Sequence, residues 1–222
     1  MILKTIERNP RHLTEDDLLV LADRVQPYLT GKRYAHTAAV AEEAARLGAV
    51  FGFSAEDVNR LRASALMHDI TKLADYKKQL QYCEEFGIMI EPEKNVSASV
   101  LHGITGAALA ARDFADFADA DILSGIRWHT TGRYGMTVFE AIIYLADYIE
   151  PTRTFDDCRA LRQYFYDRIG GCASEAERDD ILRDTMIYSF DLTIENLLED
   201  RRIIDSDTIC ARNYFIASAL EE

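Results

Sequence analysis

One short apolar segment constrains this chain more than any other, because two neighbouring ionisable side chains interrupt it. The segment reads Ala65-Leu66-Met67-His68-Asp69-Ile70-Thr71-Lys72. Burying an aspartate costs free energy unless a positive group meets it. A metal ion bound by the imidazole and the carboxylate satisfies both side chains inside an apolar helix. A hydrogen-bonded pair with a purely structural role is the alternative, and these two residues alone favour neither interpretation.

The helix-start signals of the chain predict a single all-α domain. Thr137 and Ser174 are each followed three residues later by Glu, which is the capping-box pattern, and Thr14 and Ser54 have Asp at the same spacing. Apolar residues between these signals recur at three- and four-residue spacing, as on the buried face of a helix. The segment 138–149 contains β-branched residues, but its cap and its length favour a helix. We find no alternating strand pair and no internal repeat.

Length, composition and charge narrow the class of protein. The 222 residues fit one large domain, and 48% hydrophobic with 28% charged residues is an ordinary globular composition. No apolar run approaches the roughly 20 residues of a membrane helix, and the N-terminus lacks the apolar core of a signal peptide. We therefore expect a cytoplasmic protein that does not bind membranes. The formal net charge of −13 argues against a nucleic-acid partner, although a local basic cluster can still hold a small anion.

The four cysteines are scattered along the chain, without a Cys-x-x-Cys pair. This spacing argues against a thiolate zinc site and against a disulfide framework, so we expect reduced thiols. A metal site in this chain is therefore expected to use imidazole and carboxylate ligands, which suit iron, manganese or zinc.

Four of the five histidines lie in apolar, alanine-rich or glycine-rich surroundings. The exception is His12, which follows the turn-forming pair Asn9-Pro10 and is expected at the surface. His36 is surrounded by small residues, which let a neighbouring helix come close. His102 precedes two glycines in a predicted helix, which suggest close backbone approach. His129 lies where a helix should end, before a loop of hydroxyls, glycines and arginines that suits a phosphate. Each alone is more simply an ordinary core histidine or a helix cap.

Asp147 repeats the anomaly of Asp69, because it too is a carboxylate within an apolar helical segment, 142–149. A single case is usually satisfied by a nearby Arg or Lys. Two such carboxylates, together with three further histidines in apolar or glycine-rich settings, are hard to explain as independent accidents. One shared site explains all of them.

The order of His36, His68-Asp69 and Asp147 resembles the HD-domain superfamily of metal-dependent phosphohydrolases. Longer strings resemble the YqeK family within it, and the similarity extends over nearly the whole chain from about Leu13 onward. These strings are Lys32-Arg33-Tyr34 before His36, Ala65 to Lys72, Leu101-His102-Gly103, His129-Thr130-Thr131-Gly132, Ile143 to Arg153, and Ala211-Arg212-Asn213.

The resemblance implies an all-helical HD-domain bundle, with residues 1–12 as an N-terminal extension and residues 13–222 as the HD domain. It also implies symmetrical hydrolysis of diadenosine tetraphosphate to two ADP, with iron as the metal. The metal ligands carried over are His36, His68, Asp69 and Asp147. The family commonly has a His-Pro pair where this chain has Asp205-Ser206. We therefore assign no ligand contact to the C-terminal segment.

The chemistry of such a site gives roles to further residues. We predict Asp69, Lys72, His102 and His129 as catalytic. Lys72 lies one turn beyond His68, on the same face of a continuous helix, and would neutralise a phosphate. His102 or His129 could protonate the leaving group. We favour one metal ion with these two histidines on phosphates. The alternative is a second ion at His102 and His129, with Asp69 bridging.

The substrate contacts follow the same strings of sequence. We predict that the substrate is bound by His36, Asp69, Ile70, Thr71, Lys72, His102, His129, Thr130, Asp147 and Arg153. Other HD phosphohydrolases and a non-catalytic nucleotide-sensing module are the competing functions. A cyclic-dinucleotide phosphodiesterase is disfavoured, because the Gly-Tyr-Pro signature of that subgroup does not occur in the chain. The oligomeric state stays open, with a homodimer as one option.

Overall fold

The computed structural model describes residues 12–90 and 97–220, and within them the chain forms ten α-helices and no β-strand. The predicted all-α fold is confirmed. Residues 1–11 of the predicted N-terminal extension lie outside the described residues, whereas His12 is exposed and its Nδ1 lies 2.9 Å from Glu56. The helices are α1 Glu15–Val25, α2 Gly31–Val50, α3 Ala55–Met67, α4 Tyr76–Glu85, α5 Ala98–Asp113, α6 Ala120–Trp128, α7 Val138–Ile149, α8 Asp156–Ile169, α9 Glu175–Glu199 and α10 Ser206–Ser218.

A helix begins directly after each of the four predicted cap residues. Thr14 and Thr137 form complete capping boxes, in which the hydroxyl accepts from the amide three residues on and the acidic side chain there accepts from the Thr amide. Ser54 and Ser174 also accept that amide hydrogen bond with their hydroxyls. These caps satisfy amides that would otherwise lack partners in the first turn.

Five helices surround the region in which the predicted site residues lie. Helix α2 packs against α3 and α7, α3 packs also against α6 and α7, and α5 packs against α6. Helix α7 is buried continuously from Phe139 to Ala146, which explains why its sequence lacks a polar face. No helix of the described residues is long and apolar enough to cross a membrane. All four cysteines are free thiols, as their scattered spacing predicts.

Glycine explains how α5 approaches the end of α6. A Cβ atom added to Gly103 would lie 2.8 Å from the carbonyl oxygen of Arg127. A side chain at this position would push the two backbones apart. The close approach that the glycines near His102 predict is therefore present, and it brings His102 towards His129 at the end of α6.

The expectation that His68 and Asp69 lie within a helix is wrong. Helix α3 ends at Met67, and the chain continues as hydrogen-bonded turns, in which the amide of Lys72 donates to the carbonyl of Asp69. The His68 side chain helps to end the helix, because its Nδ1 lies 2.6 Å from the carbonyl oxygen of Ala65. Carbonyl groups in the last turn of a helix lack the usual hydrogen bond from an amide four residues on, and the His68 side chain supplies a donor to this one. The helical-face argument for Lys72 therefore fails, although its side chain still reaches the site.

Candidate metal centre

Six side chains from five parts of the fold converge between α2, α3, α5, α6 and α7. Helix α2 contributes one, the turns after α3 contribute two, and α5, the end of α6 and α7 contribute one each. They are His36, His68, Asp69, His102, His129 and Asp147. The structure thus brings together every residue for which the sequence suggested a shared site.

Asp69 lies at the centre of this cluster, and its two carboxylate oxygens face different histidines. Oδ2 lies 3.3 Å from His68 Nε2 and 3.8 Å from His36 Nε2. Oδ1 lies 3.3 Å from His102 Nε2 and 3.9 Å from His129 Nε2. One carboxylate therefore connects two pairs of imidazole nitrogens.

Asp147 completes one side of the cluster. Its Oδ1 lies 3.0 Å from His36 Nε2 and 3.8 Å from His68 Nε2. The three ligand atoms of His36, His68 and Asp147 lie within 4.8 Å of one another. The same separation holds for His68, Asp69 and His129. The cluster therefore offers two overlapping groups that could each hold a metal ion.

Backbone carbonyls fix the tautomers of two histidines. His68 Nδ1 lies 2.6 Å from the carbonyl oxygen of Ala65, and His129 Nδ1 lies 2.7 Å from that of Ile126. A carbonyl can only accept, so each Nδ1 must carry the proton. The lone pair of each neutral imidazole is then on Nε2, which points into the cluster. This arrangement is typical of metal-binding histidines.

Glu150 orients His36 in the same way. Its Oε1 lies 3.0 Å from His36 Nδ1, and its side chain is completely buried. Glu150 also accepts hydrogen bonds from the amide and the hydroxyl of Thr152, at 2.6 and 2.7 Å. The sequence reasoning missed this residue as a functional one. The available signal was its position three residues after Asp147 at the end of the same helix.

Arg33 is the second functional residue that the sequence reasoning missed. Its Nη1 donates to Asp69 Oδ2 at 2.9 Å. Arg33 lies three residues before His36 on α2, so the two side chains share one helix face. On the other side, Arg153 Nη2 donates to Asp147 Oδ1 at 2.5 Å. Each carboxylate of the cluster thus has one arginine at its outer edge.

The geometry of the donor atoms fits a cation. The Nε2 atoms of His36 and His68 are buried and have no hydrogen-bond partner. For neutral imidazoles, Nε2 of His36 and Oδ1 of Asp147 approach to 3.0 Å with no proton between them. Buried polar atoms without partners are rare, and a convergence of lone pairs is repulsive unless a positive charge lies between them. A metal ion removes both problems.

Both carboxylates of the cluster are ionised. Burial disfavours their charged forms, but neighbouring groups outweigh this effect. The pKa of Asp69 is held well below its usual value by His68 and His102. The pKa of Asp147 is held well below its usual value chiefly by Arg153. The cluster therefore presents negative charge to a bound cation.

The histidines differ from one another in their pKa shifts. Burial lowers the pKa of His102, and it lowers the pKa of His129 far below its usual value. Burial also opposes protonation of His68, but Asp69 and Asp147 outweigh it and raise the pKa of that imidazole. The imidazoles of His102 and His129 are therefore neutral and ready to act as ligands at pH 7, whereas the two carboxylates favour the protonated form of His68.

Two polar side chains border the histidine pair. Lys72 Nζ lies 3.3 Å from His102 Nε2, and Thr130 Oγ1 lies 3.1 Å from His129 Nε2. The two histidines are themselves joined, with 2.8 Å between their Nε2 atoms. Lys72 thus reaches the cluster from a turn rather than from a helix face.

Ile70 and Thr71, predicted to contact substrate, have buried side chains. The Thr71 hydroxyl donates to the carbonyl of His102 at 2.9 Å and so connects the turns after α3 to α5. The two side chains are therefore structural, and neither residue lines a cavity beside the cluster.

Two cavities open beside the cluster. The first, with a volume of about 600 Å³, contains Lys72, and we call it the Lys72 cavity. The second, of about 510 Å³, contains Arg33, and we call it the Arg33 cavity. The Lys72 cavity is lined by Lys72, His129, Thr130, Tyr144, Asp147, Tyr148, Arg153, Phe155, Asp156, Asp157, Cys158, Thr193, Asn196, Glu199 and Asp200. The Arg33 cavity is lined by Thr30, Lys32, Arg33, Ala35, His36, Leu73, Glu150, Thr152, Arg153, Thr154 and Phe155.

Comparison with known proteins gives consistent matches. Residues 33–152 match the HD domain family. The chain is 32% identical to a symmetrical bis(5'-nucleosyl)-tetraphosphatase of Halalkalibacterium halodurans over 192 residues, which are 86% of this chain and 93% of that protein. It is 31% identical to the protein of the same name from Bacillus subtilis over 201 residues, which are 88% of this chain and 95% of that protein.

A solved structure shares the fold. It is an HD superfamily hydrolase from Clostridium acetobutylicum, described as involved in NAD metabolism. The TM-score is 0.77 at 31% sequence identity, and the superposition covers 94% of this chain and 100% of that one. The matched residues 33–152 include all six side chains of the cluster.

Proposed function

The chain belongs to the HD domain family, in the branch of the symmetrical bis(5'-nucleosyl)-tetraphosphatases, and we propose that its six-residue cluster is the metal centre at which it hydrolyses diadenosine tetraphosphate to two ADP. One observation carries the assignment of the site. Three histidines donate their Nδ1 protons outward and direct Nε2 at two ionised carboxylates. A structural cluster would instead alternate donors with acceptors.

We propose two metal positions that share Asp69, rather than the single ion favoured by the sequence alone. The two oxygens of Asp69 face different imidazole pairs, and His102 and His129 have lowered pKa values that suit ligands. The same lowered values argue against either histidine as the proton donor to the leaving group, because a general acid must be protonated at the working pH. We propose iron as the metal. The donor set of imidazole and carboxylate supports iron but equally accepts manganese or zinc.

A bound divalent cation supplies a water of lowered pKa and polarises a phosphoryl oxygen. The side chains of the protein do the remaining work. Lys72 projects towards His102 and lines the Lys72 cavity, so its ammonium group neutralises a phosphate beside the centre. Arg153 lines both cavities while it holds Asp147. Thr130 offers a hydroxyl to the same phosphates.

Three further predictions concern the domain bounds, the location and the assembly of the protein. We propose that residues 13–222 form the HD domain, that the protein works in the cytoplasm, and that a homodimer is its assembly. Size-exclusion chromatography with light scattering tests the last of these on the full chain. A monomeric mass would contradict it.

Product analysis tests the proposed function. The metal-loaded protein is incubated with diadenosine tetraphosphate, and the nucleotides are separated by ion-exchange chromatography. We expect ADP as the only nucleotide product, and a chelator should stop its formation. ATP together with AMP would mean cleavage at a different phosphate and would contradict the proposal. ADP binding without any turnover would favour the nucleotide-sensing module instead.

A further inference from the structure

Symmetrical cleavage, on which this inference rests, sets a geometric requirement. The bond broken lies at the middle of the substrate, so an equal nucleoside-diphosphate half extends from the metal centre on each side. Two binding sites of similar size, one for each half, would position the central phosphates of the substrate at the metal centre.

The two cavities beside the cluster meet this requirement. The Lys72 cavity reaches the cluster at His129 and Asp147, and the Arg33 cavity reaches it at His36. Their volumes of about 600 and 510 Å³ are similar. Both fall within the usual range of small-molecule sites.

Each cavity has basic side chains at its cluster end. Lys72, 3.3 Å from His102, lines the first cavity; Arg33, 2.9 Å from Asp69, lines the second; and Arg153 lines both. Phosphates of either half would thus meet positive charge next to the metal centre, in a protein whose net charge is −13.

The remaining wall of the Lys72 cavity has the opposite character. It contains Asp156, Asp157, Glu199 and Asp200. Carboxylates repel phosphates but accept hydrogen bonds from the exocyclic amino group of a nucleobase. This distribution of charge orients a nucleoside diphosphate, with its phosphates at Lys72 and its base at the acidic wall.

Phe155 lies in the wall that the two cavities share, and it is 67% exposed. It is also the N-cap residue of α8 and makes no capping hydrogen bond there. Ser, Thr, Asp or Asn would stabilise the helix at this position, and a large apolar side chain in solvent gains nothing from burial. Residues that break a local stability rule in this way are often functional.

We propose that the Lys72 cavity and the Arg33 cavity each bind one nucleoside-diphosphate half of the substrate, and that Phe155 in their common wall stacks on the nucleobase. Aromatic stacking suits a nucleobase because every base has a π-face. Arg153, beside Phe155 and common to both cavities, then holds the phosphates at the point where the two halves meet.

Titration calorimetry with ADP tests the two sites, because ADP is half of the substrate and is not itself cleaved. We expect two ADP per metal-loaded full-length chain. The variants Leu73→Trp and Asn196→Trp each fill one cavity with a bulky ring, since Leu73 lines only the Arg33 cavity and Asn196 only the Lys72 cavity. Each should reduce the stoichiometry to one. One ADP in the unmodified protein, or two in either variant, would overturn the proposal.

The stacking role of Phe155 is tested with a probe that lacks a base. In Phe155→Ala, ADP affinity should fall about tenfold while the affinity for inorganic diphosphate stays unchanged. Phe155→Tyr should restore ADP binding. Tyr134→Ala is the matched control, because Tyr134 is 70% exposed but lines neither cavity. Unchanged ADP affinity in Phe155→Ala, or an equal loss for ADP and diphosphate, would overturn the role.

These outcomes are independent of the proposed function. If the unmodified protein releases ADP from diadenosine tetraphosphate but binds one ADP, the activity stands and the two-site inference fails. If it binds two ADP but cleaves nothing, the sites stand and the proposed activity fails.

Discussion

Two clusters of carboxylates in this protein differ in where their positive charge comes from, and in the first of them only Arg60 and Asp119 are buried. In the first, Arg60 lies between three aspartates and donates to all of them. Its Nε lies 2.6 Å from Asp119, its Nη1 2.7 Å from Asp57 and its Nη2 2.5 Å from Asp121. Burial disfavours the charged guanidinium, but the three carboxylates outweigh this effect and raise the pKa of Arg60. This cluster supplies its own counter-charge.

In the second cluster, the arginines stay at the edge. Arg33 and Arg153 each hold one oxygen of a carboxylate, while the centre is filled by imidazole Nε2 atoms and carboxylate oxygens. The two clusters both combine carboxylates with basic side chains, but they place the basic side chains differently. Where the chain places a cation between the acids, the cluster is structural. Where only acceptors meet, the cluster can hold a cation from solution.

The largest effect is expected from Asp69→Asn, which keeps the shape of the side chain and removes the charge that the two proposed metal positions share. We expect the bound metal to be lost and kcat/KM for diadenosine tetraphosphate to fall by about a thousandfold or more, because metal-ion catalysis contributes several kcal/mol. Metal analysis and product chromatography measure the two effects. Asp119→Asn in the Arg60 cluster is the matched control and should keep its metal.

The counterpart in the other cluster is Arg60→Met, which removes the guanidinium that lies between the three aspartates. We expect a loss of about 3 kcal/mol in the free energy of unfolding, since the buried carboxylate of Asp119 loses the cation that neutralises it and keeps only its hydrogen bonds to the α6 amides. Urea denaturation of the metal-loaded protein measures it. The metal content should not change. A variant that unfolds like the unmodified protein would show that this cluster does not depend on its arginine.

Lys72→Met tests the positive charge beside the metal centre. We expect kcat/KM to fall about 10²–10³-fold, as when one electrostatic contact to a reacting group is removed, with the metal content retained. Lys77→Met is the control, because Lys77 is exposed and lines neither cavity. Equal activities of the two variants would remove Lys72 from the mechanism.

The smallest effect is expected from Glu150→Gln, which weakens the carboxylate that orients His36. Comparable substitutions behind metal ligands lower metal affinity about 10–100-fold. A competition titration with a metal-binding dye measures it. Glu140→Gln provides the comparison, since Glu140 is also buried but bonds to Arg133, Ser124 and the α7 cap. If both variants lose affinity equally, the effect is one of general stability.

Much of the fold, and the residues that meet in the candidate metal centre, could be predicted from the sequence. Helix starts are local, so the hydroxyls of Thr14 and Thr137 and the acids that follow them suffice to locate α1 and α7. Asp69 and Asp147 stand out because a carboxylate in an apolar segment violates the hydrophobic pattern. In the structure, the two carboxylates that violate the pattern lie together beside His36 and His68.

Other features depend on tertiary packing and leave no local signal. The helix α3 ends at Met67 without a glycine, because His68 itself bonds the Ala65 carbonyl, so periodicity predicts a longer helix. Glu150 and Arg33 resemble ordinary polar residues at helix ends, and only the fold brings them to His36 and Asp69. The two cavities are likewise absent from any sequence pattern, since their walls come from distant helices.

Metal analysis of the purified full-length protein tests the central claim most directly. We expect two ions per chain in the unmodified protein, about one in His102→Ala, none in Asp69→Asn, and two in Arg60→Met. A metal content in Asp69→Asn equal to that of the unmodified protein, or loss of metal in Arg60→Met, would contradict the account of the two clusters.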